Sequence, residues 1–180
     1  MEYKINESMG WVDHYRMMKR WYYRLRGNGV FGLNSIHQED FYIAFFLICE
    51  HFPEWLIKDG VATLQEATEW RDKNDILQLC REIANFSKHT KLKEAQVTDK
   101  DTKIVSRMFL VQPPTGASYH ISRLQVTSPE RKIDTLDALD IVEKCLNVWS
   151  LFLISKSQEI PELIEEHIYQ NFTAWKPHSP

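Results

Sequence analysis

Apolar residues recur every three or four positions along most of the chain, and this spacing predicts a mainly helical fold. The first helix is predicted over residues 8–26 and ends at the glycines of 27–29, since glycine accepts the conformation that follows a helix. A second helix is predicted over 38–51, where Pro53 interrupts the pattern. Its segment 41–49 is apolar on every side, which is typical of the buried helix at the centre of a bundle.

Three further helices follow from local start signals and apolar spacing. Thr63 followed by Glu66 matches the capping box, which predicts a helix start at that point. The pattern breaks at 72–74 and then resumes in a second amphipathic stretch. A long helix is predicted over 135–154, and a last helix is predicted after Pro161, because proline is tolerated in a first helical turn.

Between these helices the pattern changes to two extended runs. Residues 103–111 and 119–127 are rich in β-branched and large apolar side chains, and the Pro/Gly cluster at 112–116 separates them. This arrangement predicts a β-hairpin that must pack on the helices, since an isolated hairpin is marginal in water. The apolar positions of the second run change face near 122–123, which predicts a bulge there.

The whole pattern predicts a mainly α fold: a bundle of about five helices with an inserted β-hairpin at about 103–127. Neither an internal repeat nor a change of composition divides the chain, so we expect one domain over residues 1–175 and a loose tail over 176–180. The length of 180 residues is enough for a core that folds alone.

Composition narrows the class of protein without naming a function. The net charge is −3, 43% of residues are hydrophobic and 26% are charged, which is close to the average of globular proteins. The longest apolar run has nine residues, whereas a membrane span needs about 20. The amino terminus shows no secretory signal pattern. We therefore expect a soluble, cytoplasmic chain without membrane contact.

The three cysteines are predicted to be small buried hydrophobic residues. Cys49, Cys80 and Cys145 each lie among apolar residues, their number is odd, and no two have Cys-x-x-Cys spacing. A reducing compartment fits this usage better than a disulfide framework does. The histidines offer no zinc-site spacing either, so we predict no metal and no cofactor.

Positive charge is concentrated in the first helix although the chain is slightly acidic. Residues 13–26 carry five basic side chains against one acidic side chain, and 88–93 carry three lysines. A basic helix face with an aromatic side chain suits contact with phosphate and stacking on bases. The alternative is a solvated face whose long side chains cover apolar neighbours. The candidate binding residues on this face are Arg16, Lys19, Arg20 and Tyr23.

A second candidate site lies near the end of the helix that follows residue 74. At 3.6 residues per turn, two cationic side chains, one amide and one imidazole fall along one side. The alternative is that they pair with acids of neighbouring helices, for instance Glu50, Glu54 or Asp72. The members of this site are Arg81, Asn85, Lys88 and His89.

The segment Ala84-Asn85-Phe86-Ser87-Lys88-His89 resembles the HEPN superfamily of nucleotide-binding helical domains. Many members carry Arg-Asn-x-x-x-His near the end of a helix, and in active members the Arg and His form a metal-independent RNase site, usually across a dimer. Asn85 and His89 match this pattern, Ala84 stands at the arginine position, and Arg81 lies about one turn away. The resemblance covers residues 39–92 and a following helix, with the hairpin as an insertion.

Three functions remain open at the level of sequence. The first, implied by the resemblance, is a non-catalytic HEPN-like domain that binds RNA, a nucleotide or a partner protein, in a bacterial defence or toxin–antitoxin setting. The second is a metal-independent endoribonuclease, with His89 as acid and base and Arg81 as phosphate clamp. The third is a structural protein that oligomerises through exposed aromatic residues. A homodimer is the expected assembly.

Overall fold

The computed structural model describes residues 9–28, 35–88, 102–112, 119–129 and 133–163. Within these ranges the chain is mainly helical with a small antiparallel sheet, which confirms the predicted fold class. The helices are α1 (Trp11–Asn28), α2 (Ser35–Lys58), α3 (Leu64–Asp72), α4 (Asp75–Lys88) and α5 (Ala138–Ser155). The strands are β1 (Lys103–Val111), β2 (Tyr119–Ser128) and β3 (Ile133–Asp137).

Helix α2 forms the centre of the bundle. It packs against α1, α3, α4 and α5 and against strand β2. Its sequence is apolar on every side, and side chains from several directions around it are fully buried, among them Phe45, Phe46, Phe52 and Leu56. None of the helices within the described ranges combines the length and hydropathy that crossing a membrane requires.

The prediction that Pro53 interrupts the second helix is wrong. Helix α2 continues through Pro53 to Lys58, so it is seven residues longer than the predicted end at 51. Proline removes one helical N–H and crowds a carbonyl in the preceding turn. Here Pro53 is itself buried, and the flanking Phe52 and Leu56 are fully buried. Packing of both helical turns in the core outweighs the local cost of the proline.

Local start and stop signals are confirmed in the α3–α4 region. Thr63 caps α3: its hydroxyl accepts a bond from the Glu66 N–H at 3.2 Å, and the Glu66 carboxylate accepts from the Thr63 N–H at 2.8 Å. The predicted break at 72–74 is also found, since α3 ends at Asp72 and α4 begins at Asp75. These boundaries depend on neighbouring residues only, and the sequence pattern therefore identifies them.

The hairpin is confirmed, but its predicted bulge is wrong. Strands β1 and β2 pair in one regular register from Lys103 opposite Thr127 to Val111 opposite Tyr119, with no slip at 122–123. The irregularity lies in the pairing of β2 with β3, between Val126 and Ser128. The change of apolar face along the second run therefore does not require an extra residue in the ladder.

The third strand replaces the predicted start of the long helix. Residues of β3 pair with β2, and α5 begins at Ala138 rather than at 135. Asp137 is the N-cap: its carboxylate accepts a hydrogen bond from the Leu139 N–H at 2.9 Å. Strand pairing in this segment competes with helix propensity and determines the boundary.

The ends of α1 also differ from the prediction. The helix begins at Trp11 instead of residue 8, and it includes Gly27 and Asn28 instead of ending before them. Residues 158–163 after α5 are not helical. The rest of the predicted last helix and the predicted tail lie outside the described residues.

Candidate functional site

Helix α4 holds the residues that carry the sequence resemblance. Its inner face is buried against the bundle through Leu77, Leu79, Cys80, Ile83 and Ala84. Arg81 and Asn85 follow each other by one turn and are half-buried, so their side chains lie on the same side of the helix at the edge of the core. Within the described residues, neither side chain makes a hydrogen bond or an ion pair.

The end of the predicted site falls at the limit of the described structure. Lys88 is the last residue of α4, and its side chain, like all of His89, lies outside the described part of the chain. The structure therefore brings Arg81 and Asn85 together on one helix side. The convergence of His89 with them stays a prediction.

Ala84 stands where the motif resemblance would place the arginine of active HEPN proteins. Its side chain is fully buried, with 0% exposure. A guanidinium at this position would enter the apolar core, and burying an unpaired charge is strongly unfavourable. Among the described residues of α4, the only arginine is Arg81, which lies one turn before Ala84.

The acids named as alternative partners form contacts around α2 and α3. Glu54 lies 3.0 Å from His51 Nδ1, and Glu50 lies 3.8 Å from His51 Nε2. Asp72 accepts a hydrogen bond from the neighbouring Arg71 at 3.1 Å. None of these measured contacts involves Arg81, so the described structure does not pair that guanidinium with the predicted acids.

Two members of the basic face on α1 contact the segment that follows α5. Lys19 Nζ donates to the Pro161 carbonyl at 2.8 Å, and Arg16 Nε donates to the Glu162 carbonyl at 3.1 Å. Burial lowers the pKa of Lys19, and the nearby Glu162 carboxylate partly offsets this effect. The two cations thus fasten residues 161–162 to α1, and their role as phosphate ligands stays a prediction.

The remaining members of this face differ in exposure. Tyr23 is 43% exposed and lies beside Tyr22, with ring centroids 5.3 Å apart. Arg20 is half-buried and has an interaction partner. Helices α1 and α4 both pack on α2 and have no extensive packing with each other. Within the described residues, the basic face of α1 and the pair of Arg81 and Asn85 on α4 therefore lie on two helices without extensive packing between them.

Helix α1 also contains a buried histidine that the sequence pattern does not predict. His14 is 4% exposed, and its Nε2 lies 2.7 Å from the Ile48 carbonyl of α2. Burial lowers the pKa of His14, while the bond to the carbonyl partly raises it. The only sequence signal for this burial is the position of His14 between the apolar residues Val12 and Tyr15. That position alone does not distinguish a buried histidine from an exposed one.

The three cysteines are buried, as predicted, but they also meet at one point in the core. Their Sγ atoms come from α2, α4 and α5 and all lie within 4.8 Å of one another. The Cys80 thiol also lies 3.7 Å from the Phe46 carbonyl, and the Cys145 thiol lies 3.7 Å from the Ile76 carbonyl. The prediction that no metal site exists considered only local spacing, and it could not anticipate three thiols from distant helices.

The sulfur atoms of this cluster influence one another. Burial raises the pKa of Cys80 and of Cys145, which favours their protonated thiols. Burial also acts to raise the pKa of Cys49, but the polar side chains of Cys145, Cys80 and Trp149 packed near its sulfur outweigh burial and lower that pKa. Cys49 is therefore the thiol that loses its proton most readily.

Comparison with known proteins finds no matching family model, no matching curated protein and no matching solved structure. The HEPN resemblance accordingly depends on the motif at 84–89 and on the helical fold class. The function must be argued from the geometry of the chain itself.

Proposed function

We propose that this chain is a HEPN-like helical domain that binds RNA through the end of α4 and does not cut it. The observation that carries the proposal is the burial of Ala84, because it leaves no room for the guanidinium that active members place there. A metal-independent cleavage site needs a fixed cation for the charge that develops on the phosphate. Loss of that cation removes catalysis while polar groups that can bind a phosphate remain.

Two described side chains are suited to such binding. Arg81 offers a planar guanidinium that can donate two parallel bonds to a phosphate. Asn85, one turn further along α4, can donate to and accept from a ribose or a base edge. Lys88, the last residue of α4, and His89, which follows it in sequence, complete the proposed contact set.

The test is a binding titration with a fluorescein-labelled single-stranded RNA of mixed sequence, followed by anisotropy at several salt concentrations. We expect Arg81→Gln to weaken binding several-fold and to reduce the slope of log K against log salt by about 1, as loss of one phosphate contact does. Lys73→Gln is the matched control, because it removes the same positive charge as Arg81→Gln. Lys73 is 74% exposed and follows the end of α3.

The same assay examines the basic face of α1. Lys19→Met removes a cation that contacts the Pro161 carbonyl, and we expect it to change RNA affinity no more than Lys73→Gln does. Equal loss of affinity in Arg81→Gln and Lys73→Gln would contradict binding at α4. Cleavage of the RNA in EDTA that disappears in His89→Ala would instead establish the endoribonuclease alternative.

Exposed aliphatic side chains on α5 favour self-association as a second candidate function. Leu151 and Ile154 lie one turn apart on α5 and are each 58% exposed. If they form a contact between two copies, Leu151→Ser with Ile154→Ser converts a dimer into a monomer in light scattering after size exclusion. A wild-type chain that is monomeric at the highest soluble concentration would rule this candidate out.

A further inference from the structure

The cluster of Cys49, Cys80 and Cys145 is a second place in the molecule where chemistry is concentrated. We propose that these three thiols bind one soft monovalent metal ion of the Cu(I) class in the core of the bundle. This inference is independent of RNA binding, because it concerns the inner faces of α2, α4 and α5.

The distances between the sulfur atoms suit three-coordinate binding. A metal–sulfur bond of about 2.3 Å in a planar three-coordinate site places the sulfurs roughly 4.0 Å apart. The three Sγ atoms already lie within 4.8 Å of one another, so small side-chain rotations close the remaining gap. Each thiol belongs to a different helix, and the helices themselves hold the sulfurs in place.

The number and kind of donors select the class of ion. Thiolates favour soft ions such as Cu(I) and Zn(II). Structural zinc is almost always bound by four ligands, whereas the described residues supply three donor atoms here and the thiols are 0–1% exposed. Cu(I) is satisfied by three sulfurs. Cysteine binds metal as the thiolate, so uptake of the ion releases thiol protons to the solvent.

Two polar groups beside the cluster lack partners of their own. Trp149 is 1% exposed, its indole Nε1 has no hydrogen-bond partner among the described residues, and the indole influences the pKa of the neighbouring Cys49. His14 also interacts electrostatically with Cys49, and its buried Nδ1 is without a partner in the described structure. The indole N–H of Trp149 is a donor, and a donor beside a metal-bound sulfur stabilises its negative charge.

Burial determines how the ion must be loaded in the experiment. Because the thiols are inaccessible in the folded chain, uptake requires local opening or folding around the ion. The full-length, reduced chain is therefore refolded without oxygen in the presence of Cu(I), supplied as its acetonitrile complex, or of Ag(I) as a redox-inert probe. After desalting, bound metal is counted per chain, and X-ray absorption identifies the atoms around copper.

We expect one Cu(I) or Ag(I) per chain and only sulfur neighbours around copper. Because the ion links three helices, a free ion concentration of about a hundred times Kd should raise the Tm by about 5–10 °C. Each of Cys49→Ser, Cys80→Ser and Cys145→Ser should reduce uptake to background. Met18→Leu is the matched control, because this substitution removes a fully buried sulfur outside the cluster. The Met18→Leu chain should bind the ion as the wild-type chain does.

Three results would overturn the proposal, and two of them need only the wild-type chain. The first is a correctly refolded wild-type chain that retains no Cu(I) or Ag(I), or that holds copper through nitrogen or oxygen atoms. The second is Zn(II) that displaces both monovalent ions from the sulfurs. The third is any Cys→Ser variant that folds, by circular dichroism, and binds like the wild type. If those variants do not fold, ligand identity and the Tm shift of the wild-type chain decide.

Discussion

At the scale of single residues, His14 shows most clearly how burial controls chemistry in this chain. Its Nε2 donates to the Ile48 carbonyl, and its ring stacks on Phe52 and Trp55 with centroids 5.9 and 5.3 Å away. Because Nε2 carries the proton in that bond, Nδ1 is the site that protonation would charge. Nδ1 is buried without a partner among the described residues, so the charged form is disfavoured.

This environment predicts a loss of stability in weak acid. Unfolded histidine has a pKa of 6.5, and the pKa of His14 in the native chain is lower, so below pH 6.5 the unfolded state binds more protons. The stabilising contribution of neutral His14 is complete above pH 6.5 and declines as the pH falls below that value. Urea unfolding at several values between about pH 7.5 and 5.5 should show this decline.

His14→Gln should flatten the dependence of the free energy of unfolding on pH, because glutamine can donate to the Ile48 carbonyl without titrating. Glu66 titrates in a separate range, since hydrogen bonds from Lys156 and Thr63 lower its pKa to about 2. An unchanged slope in His14→Gln would show that other groups cause the acid sensitivity.

At the scale of elements, the start of α1 depends on a residue 48 positions away. The Asp59 carboxylate accepts a hydrogen bond from the Trp11 N–H at 2.7 Å, so it acts as a cap supplied by the end of α2. Gly10 allows this approach, because a Cβ at position 10 would lie 2.9 Å from Asp59 Oδ2. The carboxylate also complements the positive end of the helix dipole.

The cap predicts a coupled pair of mutations. Asp59→Ala removes the acceptor and should lower the free energy of unfolding by about 1 kcal/mol. Gly10→Ala displaces the same carboxylate and should cost a similar amount in the wild-type chain, but much less when Asp59 is already alanine. Urea unfolding of the four variants measures this coupling, and fully additive effects would contradict the cap.

Local signals in the sequence were sufficient for some elements and insufficient for others. The capping box at Thr63 and the break at 72–74 involve neighbouring residues, and both were predicted correctly. Passage of α2 through Pro53 depends on packing in the finished core, which periodicity does not contain. The cap of α1 by Asp59 likewise requires two helices to be in place.

In the candidate sites, too, relations within one helix are predictable from the sequence, and contacts between helices are not. Helical spacing correctly placed Arg81 and Asn85 on one side of α4, because that relation is internal to the helix. The meeting of Cys49 with Cys80 and Cys145 results from the packing of three helices that are far apart in sequence. The contact of Lys19 with the Pro161 carbonyl is also tertiary, and a basic helix face alone did not reveal it.

At the scale of the whole molecule, the basic face of α1 joins the two ends of the described chain. Lys19 and Arg16 donate to consecutive carbonyls at Pro161 and Glu162, while Tyr15 O–H lies 2.5 Å from the Ser150 hydroxyl of α5. Ser150 in turn donates to the Leu146 carbonyl, so the tyrosine is the donor to Ser150. These bonds hold α1, α5 and the segment after α5 together.

Removing one of these donors should weaken the fold. Lys19→Met keeps the apolar stem but loses the ammonium, and we expect the free energy of unfolding to fall by about 1 kcal/mol, since a hydrogen bond from a charged group is lost. Lys144→Met is the control, because Lys144 is exposed on α5 and should remain within about 0.5 kcal/mol of the wild type. Equal stability of both variants would show that the contact with Pro161 contributes nothing.

We propose that this helical domain binds RNA at the end of α4 without cutting it. The most direct measurement incubates the wild-type chain with labelled single-stranded RNA in EDTA, and records anisotropy across a salt series and the length of the RNA afterwards. We expect binding that weakens as salt rises, with RNA of unchanged length. Either shortened RNA in EDTA or an absence of binding at the lowest salt concentration would contradict it.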